Sequence, residues 1–328
     1  MERVAVIIPN WNGLRFLDAC LLSLRRQDFK DFVTYVVDNG SVDESVEHLI
    51  THYPEVRIVR HAENLGFSTA INAGIRASSG QYIAALNNDT EVDPAWLAEL
   101  VKVLDARPEI GFCASKILDF TDRNVIDSFG DGYGLHGIAF KNGSLAHDDE
   151  RFSQPVEVFS ACAAASIYRR SMLNDIGMFD DDFFCYMEDV DLGIRARLAG
   201  YRCLAVATAR IYHIGSASTG GDMSEFSLRM TAKNFIHVII KNVPIGALPI
   251  FLPAVLLGQI VIVGSAYMGQ RKTMRKNIAG YWRGLTLAMQ EQHTMWGKRR
   301  AIQAHRRIGS YAFLKLVWLS MRQRRALS

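Results

Sequence analysis

Only five cysteines stand in the 328 residues, an odd number, scattered and without a C-x-x-C pair. That excludes a disulfide framework and a zinc-binding knuckle, and it fits a reducing compartment. The turn after the first apolar run, PNWNGL, holds one glycine and no G-x-G-x-x-G, which argues against a dinucleotide-dependent dehydrogenase. No G-x-x-x-x-G-K-[ST] occurs either, which argues against a P-loop nucleotidase. The opening MERVAVIIPN carries an apolar run too short for the core of a secretion signal, so this end is expected to stay in the cytosol. Carboxylates are nearly missing from the other end. Beyond residue 270 there are fourteen Lys and Arg against Glu291 alone, leaving 23 basic and 33 acidic residues before it. The net charge of +3 therefore hides an acidic body and a basic tail that face different partners.

What is present alternates. Short β-rich runs (VAVIIP, VTYVVD, VRIVR, YIAALN, IGFCAS) are separated by helical patterns, with a helix from about Val42, one over 68–77 and one over 94–105. This predicts an α/β fold with a mainly parallel central sheet. Periodicity weakens over 119–160, where glycines accumulate, and a further strand over 156–168, an acidic stretch, a helix and the strand CLAVATARIYH follow. The expected organisation is a body over 1–240 that changes character near residue 115, and a helical tail over 241–328.

Residues 242–270 contain no charged side chain, but Pro244, Pro249 and Pro253 fall in the first half. Those prolines predict a broken segment, re-entrant or a pair of interfacial helices, rather than one span. With basic triplets interleaved with Trp296, Tyr311, Phe313 and Trp318 beyond it, the tail suits an anionic membrane surface better than nucleic acid.

Ligands of open parallel sheets bind beyond the carboxyl ends of the strands. Those ends read PNWNG, DNGSVD, HAENLGF and NNDTEVD, which places Asp38, Asn64 and Asp89 along one edge. A polar strand end is also an ordinary turn or cap. Asp89 is a carboxylate suited to a hard divalent cation on phosphate oxygens, with Asp93 expected as N-cap of the next helix. His213, ending ARIYH, is a candidate second ligand or a structural histidine. In CYMEDVDLGIRARLAGYR, a helix from near Asp189 would bury Val190, Ile194 and Leu198 and set Arg195 four residues after Asp191, which makes Asp191 structural. Glu188 and Asp189 are adjacent and cannot point the same way, and locally a helix cap is the ordinary reading of either.

Taken in order, VIIPNWNG, VVDNGSVD, NLGFSTAINAGI, LNNDTEVDP, the segment from FSACAAASIYRR to LAGYR, and IYHIGSAS resemble the family 2 glycosyltransferases of the GT-A fold, and within them the bacterial rhamnosyltransferase-type branch. The resemblance implies an inverting glycosyltransferase using Mg²⁺ or Mn²⁺, with 1–115 as its nucleotide-binding half and 116–240 as its acceptor half. Pro9, Asn10, Asn12 and Asp38 would hold the nucleotide, with Asn64, Gly66, Asn72 and Asn88 around the donor. Asp89, with Asn87 where a first acid often stands, would take the metal, helped by His213. Asp189 would be the base and Glu188 an acceptor contact. Ser160 departs from the glycine usual at that position. The implied partners are a nucleotide-diphosphate sugar, with dTDP-L-rhamnose favoured over UDP-hexoses, and a glycan or polyprenyl-linked acceptor at the cytoplasmic face of the inner membrane. A catalytically inactive nucleotide-sugar-binding protein is the competing reading, and homo-oligomerisation is left open.

Overall fold

A computed structural model describes residues 2–215 and 223–327. Ser216, Ala217 and Ser218, the end of the IYHIGSAS motif, lie outside the described residues. The first half runs β1 (Val4–Asn10), α1 (Leu14–Arg25), β2 (Phe32–Asn39), α2 (Ser45–His52), β3 (Arg57–His61), α3 (Phe67–Ala77), β4 (Tyr82–Leu86), β5 (Thr90–Val92), α4 (Trp96–Ala106) and β6 (Ile110–Asp119). Then come β7 (Ile126–Phe129), β8 (Asp131–Tyr133), β9 (Ala139–Lys141), β10 (Val156–Val158), β11 (Ala165–Arg169), α5 (Arg170–Ile176), α6 (Glu188–Leu198) and β12 (Arg202–His213). The chain closes with α7 (Glu225–Asn242), α8 (Leu248–Tyr267), α9 (Lys272–Lys276), α10 (Ile278–His305) and α11 (Ser310–Leu327).

The central sheet is ordered β10-β12-β6-β11-β4-β1-β2-β3. Strands β4, β1, β2 and β3 are mutually parallel, and the apolar run of β1 is buried because helices cover both faces. On one face Leu17, Cys20, Leu21 and Leu24 of α1 recur at helical spacing and pack under β1 and β4. The sheet departs from a simple alternation at β11, which is antiparallel to both β4 and β6. The run expected as one strand over 156–168 is thus two: β10 at the sheet edge and β11 within it, separated by a turn at 159–164.

Three local expectations are corrected. Helix α2 starts at Ser45, not Val42, because Asp43 turns its carboxylate onto the N–H groups of Ser45 and Leu14. Helix α4 starts at Trp96, and Asp93 caps the turn before it, accepting from Ala95 N–H at 3.1 Å. Pro249 and Pro253 do not break the apolar segment: α8 is one helix. Pro249 lies in its first turn, where a backbone N–H has no helical partner to lose, and Pro253 removes a single bond one turn later.

Behind the site a buried ion network joins α6 to the tail. Asp191 pairs with Arg195 at 2.8 Å and with Lys241 at 2.8 Å, and accepts from Asn242 at 2.8 Å. Lys241 and Lys298 both reach Asp180. Burial opposes ionisation of Asp191, and Lys241 and Arg195 nonetheless hold its carboxyl below the usual range. Val190, Ile194 and Leu198 form the buried stripe of α6, against Phe235 and Val238 of α7. Several basic residues of the tail are paired with acids of the body: Arg283 with Glu225, Lys298 with Asp182, and Arg307 with Asp175.

Candidate active site

Strand β1 has β2 on one side and β4 on the other, so the chain reverses its direction of progress across the sheet there, and a crevice opens beyond the strand ends. It is a cavity of about 790 Å³, lined by Pro9, Asn10, Asn64, Gly66, Asn88, Asp89, Glu188, Asp189 and His213 among others. Nine of the twelve residues singled out from the sequence therefore meet at one cavity.

At the end beside β1, Asn88 Nδ2 donates to Asn10 Oδ1 at 2.8 Å. Gly13 leaves the space for this pair, since a Cβ there would collide with both amides. Asn64 Oδ1 accepts from Asn39 Nδ2 at 2.9 Å and Gly66 N–H at 3.0 Å. Asn39, which the sequence reading passed over, lines the cavity, whereas its neighbour Asp38 does not. Asp38 lies buried behind the wall, its Oδ2 near Ser41 N–H and its Oδ1 without a partner among the described residues. Asn12 and Asn72 are also off the cavity wall. Asn12 ties two loops together, accepting from Val42 N–H at 2.8 Å. Asn72 braces α3, donating to Phe179 O and Asp181 Oδ1, both at 2.8 Å.

In the middle, Asp89 Oδ1 and His213 Nε2 are 3.3 Å apart, and His213 Nδ1 faces Asp127 Oδ2 at 3.4 Å. Burial alone would lower the imidazole pKa, but the two carboxylates outweigh it and raise it to about 9. A carboxylate oxygen and an imidazole nitrogen converging on a cavity, with a second carboxylate behind the imidazole, are a donor set that fits a divalent cation. Asp127 also holds Lys141 at 2.6 Å, and Lys141 is the cavity's one Lys or Arg among the described residues. Neither was foreseen, because both come from the aperiodic insertion.

The acidic end is built by strain and backbone donors. Phe184, Tyr186 and Met187 all have φ between 60° and 67°, a region that costs a side chain about 1–3 kcal/mol. Gly66 accommodates this loop, since a Cβ there would lie 2.6 Å from Phe184 O. Asn234, buried on α7, donates from Nδ2 to Phe183 O, Cys185 O and Tyr186 O at 2.9, 2.9 and 2.7 Å. The loop delivers Glu188 and Asp189 onto the first turn of α6, and both line the cavity. Asp189 Oδ2 accepts from Ala163 N–H at 3.1 Å and its Oδ1 from Val190 N–H at 2.7 Å. Ser160, the departure noted in the sequence, donates its hydroxyl to Asp189 O at 3.3 Å, and Gly193 opposite leaves room for it.

Burial pushes the Asp189 carboxyl up, against its backbone hydrogen bonds, and pushes Glu188 well up, its Oε2 unpartnered among the described residues. Asp131, Cys162 and Asp189 offer ligand atoms within 4.8 Å of one another. Burial and Asp189 raise the Asp131 carboxyl to about 8, and burial raises the Cys162 thiol well above its ordinary value. Two buried carboxyls this close, Asp131 and Asp189, each oppose the other's ionisation. Because Asn234 holds the strained loop, Asn234→Ala is expected to lower turnover about 10–100-fold and to lower the melting temperature as buried carbonyls lose their donor, as paired kinetics and thermal unfolding would show.

Residues 5–177 match the model of glycosyl transferase family 2. The chain belongs to this family. It is a transferase of the GT-A type, and its relatives include rhamnosyltransferases. It is 28% identical over 230 residues to the N-acetylglucosaminyl-diphospho-decaprenol L-rhamnosyltransferase of Mycobacterium tuberculosis, covering 63% of this chain and 74% of that one. It is 31% identical over 230 residues to protein y4gI of Sinorhizobium fredii, covering 66% of this chain but only 25% of that larger one. Among solved structures, the mannosyltransferase PcManGT from Pyrobaculum calidifontis, in complex with GDP-Man and Mn²⁺, superposes with a TM-score of 0.55 at 17% identity, over 96% of this chain and 87% of that one. At that identity the likeness concerns the fold alone.

Proposed function

We propose that this family 2 enzyme transfers a sugar, with inversion, from a nucleotide-diphosphate donor to a hydroxyl of a lipid-linked glycan in cell-surface polysaccharide synthesis. L-Rhamnose from dTDP-L-rhamnose is the favoured donor, since a relative aligned over most of its own length bears an L-rhamnosyltransferase name. The observation that carries the reading is Asp189, fixed by two backbone N–H groups at the cavity wall beside Glu188.

Asp189 takes the proton from the acceptor hydroxyl as that oxygen attacks the anomeric carbon on the face opposite the diphosphate. Glu188, whose carboxyl burial pushes well up, orients the acceptor hydroxyl. Asp38, behind the wall, shapes the end beside β1 from outside the cavity by accepting from Ser41 N–H. Asn10, Asn88 and Asn64 frame the nucleotide beside it, and Pro9 and Gly66 let the donor approach the backbone. Asp89 and His213 would hold Mg²⁺ or Mn²⁺, which when bound neutralises charge on the departing nucleoside diphosphate. In this reading 1–240 is the catalytic part, and 241–328 keeps the enzyme at the cytoplasmic face of the plasma membrane.

The test is a panel of nucleotide sugars with a divalent cation and a polyprenyl-diphosphate-linked glycan, read as nucleoside diphosphate release. The expected result is acceptor-dependent release from dTDP-L-rhamnose. Preference for a UDP-hexose overturns the donor assignment, and no release from any donor overturns the enzyme reading.

A further inference from the structure

The apolar helix α8 is only half used by the protein. Phe251 and Val255 face inward, Phe251 stacked on Tyr133 with ring centroids 5.9 Å apart and packed near Phe313. The opposite side carries Leu256, Leu257, Ile260 and Val261, each at least 60% exposed, and leads to exposed Tyr267 and Met268. Among the described residues nothing covers this face. The helix is long and apolar enough to cross a membrane, but crossing would tear Phe251 and Val255 from the core they complete.

Immediately after it come Arg271, Lys272, Arg275 and Lys276, all exposed. No acid occurs from 242 to 290, and none of the four makes an ion pair among the described residues, unlike Arg283, Lys298 and Arg307 of the same tail. Exposed Trp282 stands one turn beyond. A cationic cluster and an aromatic ring at the end of a bare apolar face match the headgroup layer of an anionic bilayer lying over acyl chains.

The same elements are fastened to the cavity wall. Leu228 and Ala232 of α7 pack with Ala266, Met274 and Tyr281. Asn277 Nδ2 donates to Met223 O at 2.6 Å. Phe226 and Thr231, on the same turns of α7, line the cavity. We infer that α8 lies flat in the interface of an anionic leaflet, without spanning it, while Arg271, Lys272, Arg275 and Lys276 bind headgroups and α7 holds the mouth of the cavity beside the bilayer. The docking surface stands on its own observations; its use in presenting a lipid-linked acceptor rests on the proposed function.

The test uses the full chain and vesicle flotation. Wild type is expected to float with phosphatidylglycerol-containing vesicles, to bind pure phosphatidylcholine at least tenfold more weakly, and to be released by alkaline carbonate. Leu257→Asp with Ile260→Asp is expected to stay in the soluble fraction. Serine at all four basic positions is expected to abolish the preference for anionic vesicles and its salt dependence. Both variants should keep wild-type turnover on a short-chain, water-soluble acceptor. Loss of that turnover in wild type counts against the proposed function and leaves flotation as the judge of docking. Unchanged flotation of the Leu257/Ile260 variant overturns the surface. Retention after carbonate means a span and overturns the flat orientation. A dimer in light scattering that Leu257→Asp and Ile260→Asp dissociate means that a second copy covers the face, and overturns the membrane as occupant.

Discussion

Asp189→Asn is expected to lower turnover by about 10³-fold or more, with donor binding within about threefold of wild type. An amide cannot take the acceptor proton, and general base catalysis alone is worth about 10²–10⁴-fold. The substitution also tests the positioning. Each carboxylate oxygen accepts one backbone N–H, from Ala163 and from Val190, so an asparagine must turn its NH₂ group toward one of those donors. A modest loss of stability should therefore accompany the loss of turnover. Turnover is read as nucleoside diphosphate release with acceptor present, and donor affinity by calorimetry. Near-normal turnover would remove Asp189 from the role of base.

The second large effect is expected at the other carboxylate. Asp89→Asn should reduce turnover about 10²–10³-fold, the range lost when a group stabilising developing charge is removed. It should also weaken Mn²⁺ binding, measured directly by calorimetry or electron paramagnetic resonance. Asp89 faces His213 at 3.3 Å, so its replacement leaves a lone imidazole with Asp127 behind it, which is a poor site for a hard cation. Chelation of wild type should produce the same fall, and the variant should be insensitive to chelator. A variant that binds Mn²⁺ as tightly as wild type would move the metal elsewhere.

The contrast between what was and was not legible in the sequence has a physical basis. Pro9, Asn10, Asn64 and Asp89 were readable because a parallel sheet converts strand ends into a site, so position along a strand predicts position in space. Asp191 with Arg195 was readable because helical spacing fixes the pair. Asn72 lies off the cavity because α3 turns it toward Phe179 O and Asp181, to which it donates. Asp127, Lys141 and Asp131 were invisible for want of any period over the insertion that carries them. Asn234 was hidden differently: it sits on the buried face of α7 among apolar residues, and only the carbonyls it collects, about fifty positions away, reveal its task. Pro249 and Pro253 were read as breakers because proline's cost was counted without the packing of Phe251 and Val255 that outweighs it.

The antiparallel strand β11 has one more consequence. Where parallel strands offer their ends to the cavity, an antiparallel one offers its beginning, and Ala165 at the start of β11 is registered against Leu86 at the end of β4. The N–H of Ala163, which fixes Asp189, and the carboxylate of Asp89 thus leave the sheet from neighbouring rungs of one ladder, tied again by Asn87 N–H to Ala164 O at 2.9 Å. The span between the two acids is set by ladder hydrogen bonds and not by loop length. A loop beyond these strand ends can change length without carrying the two acids out of register.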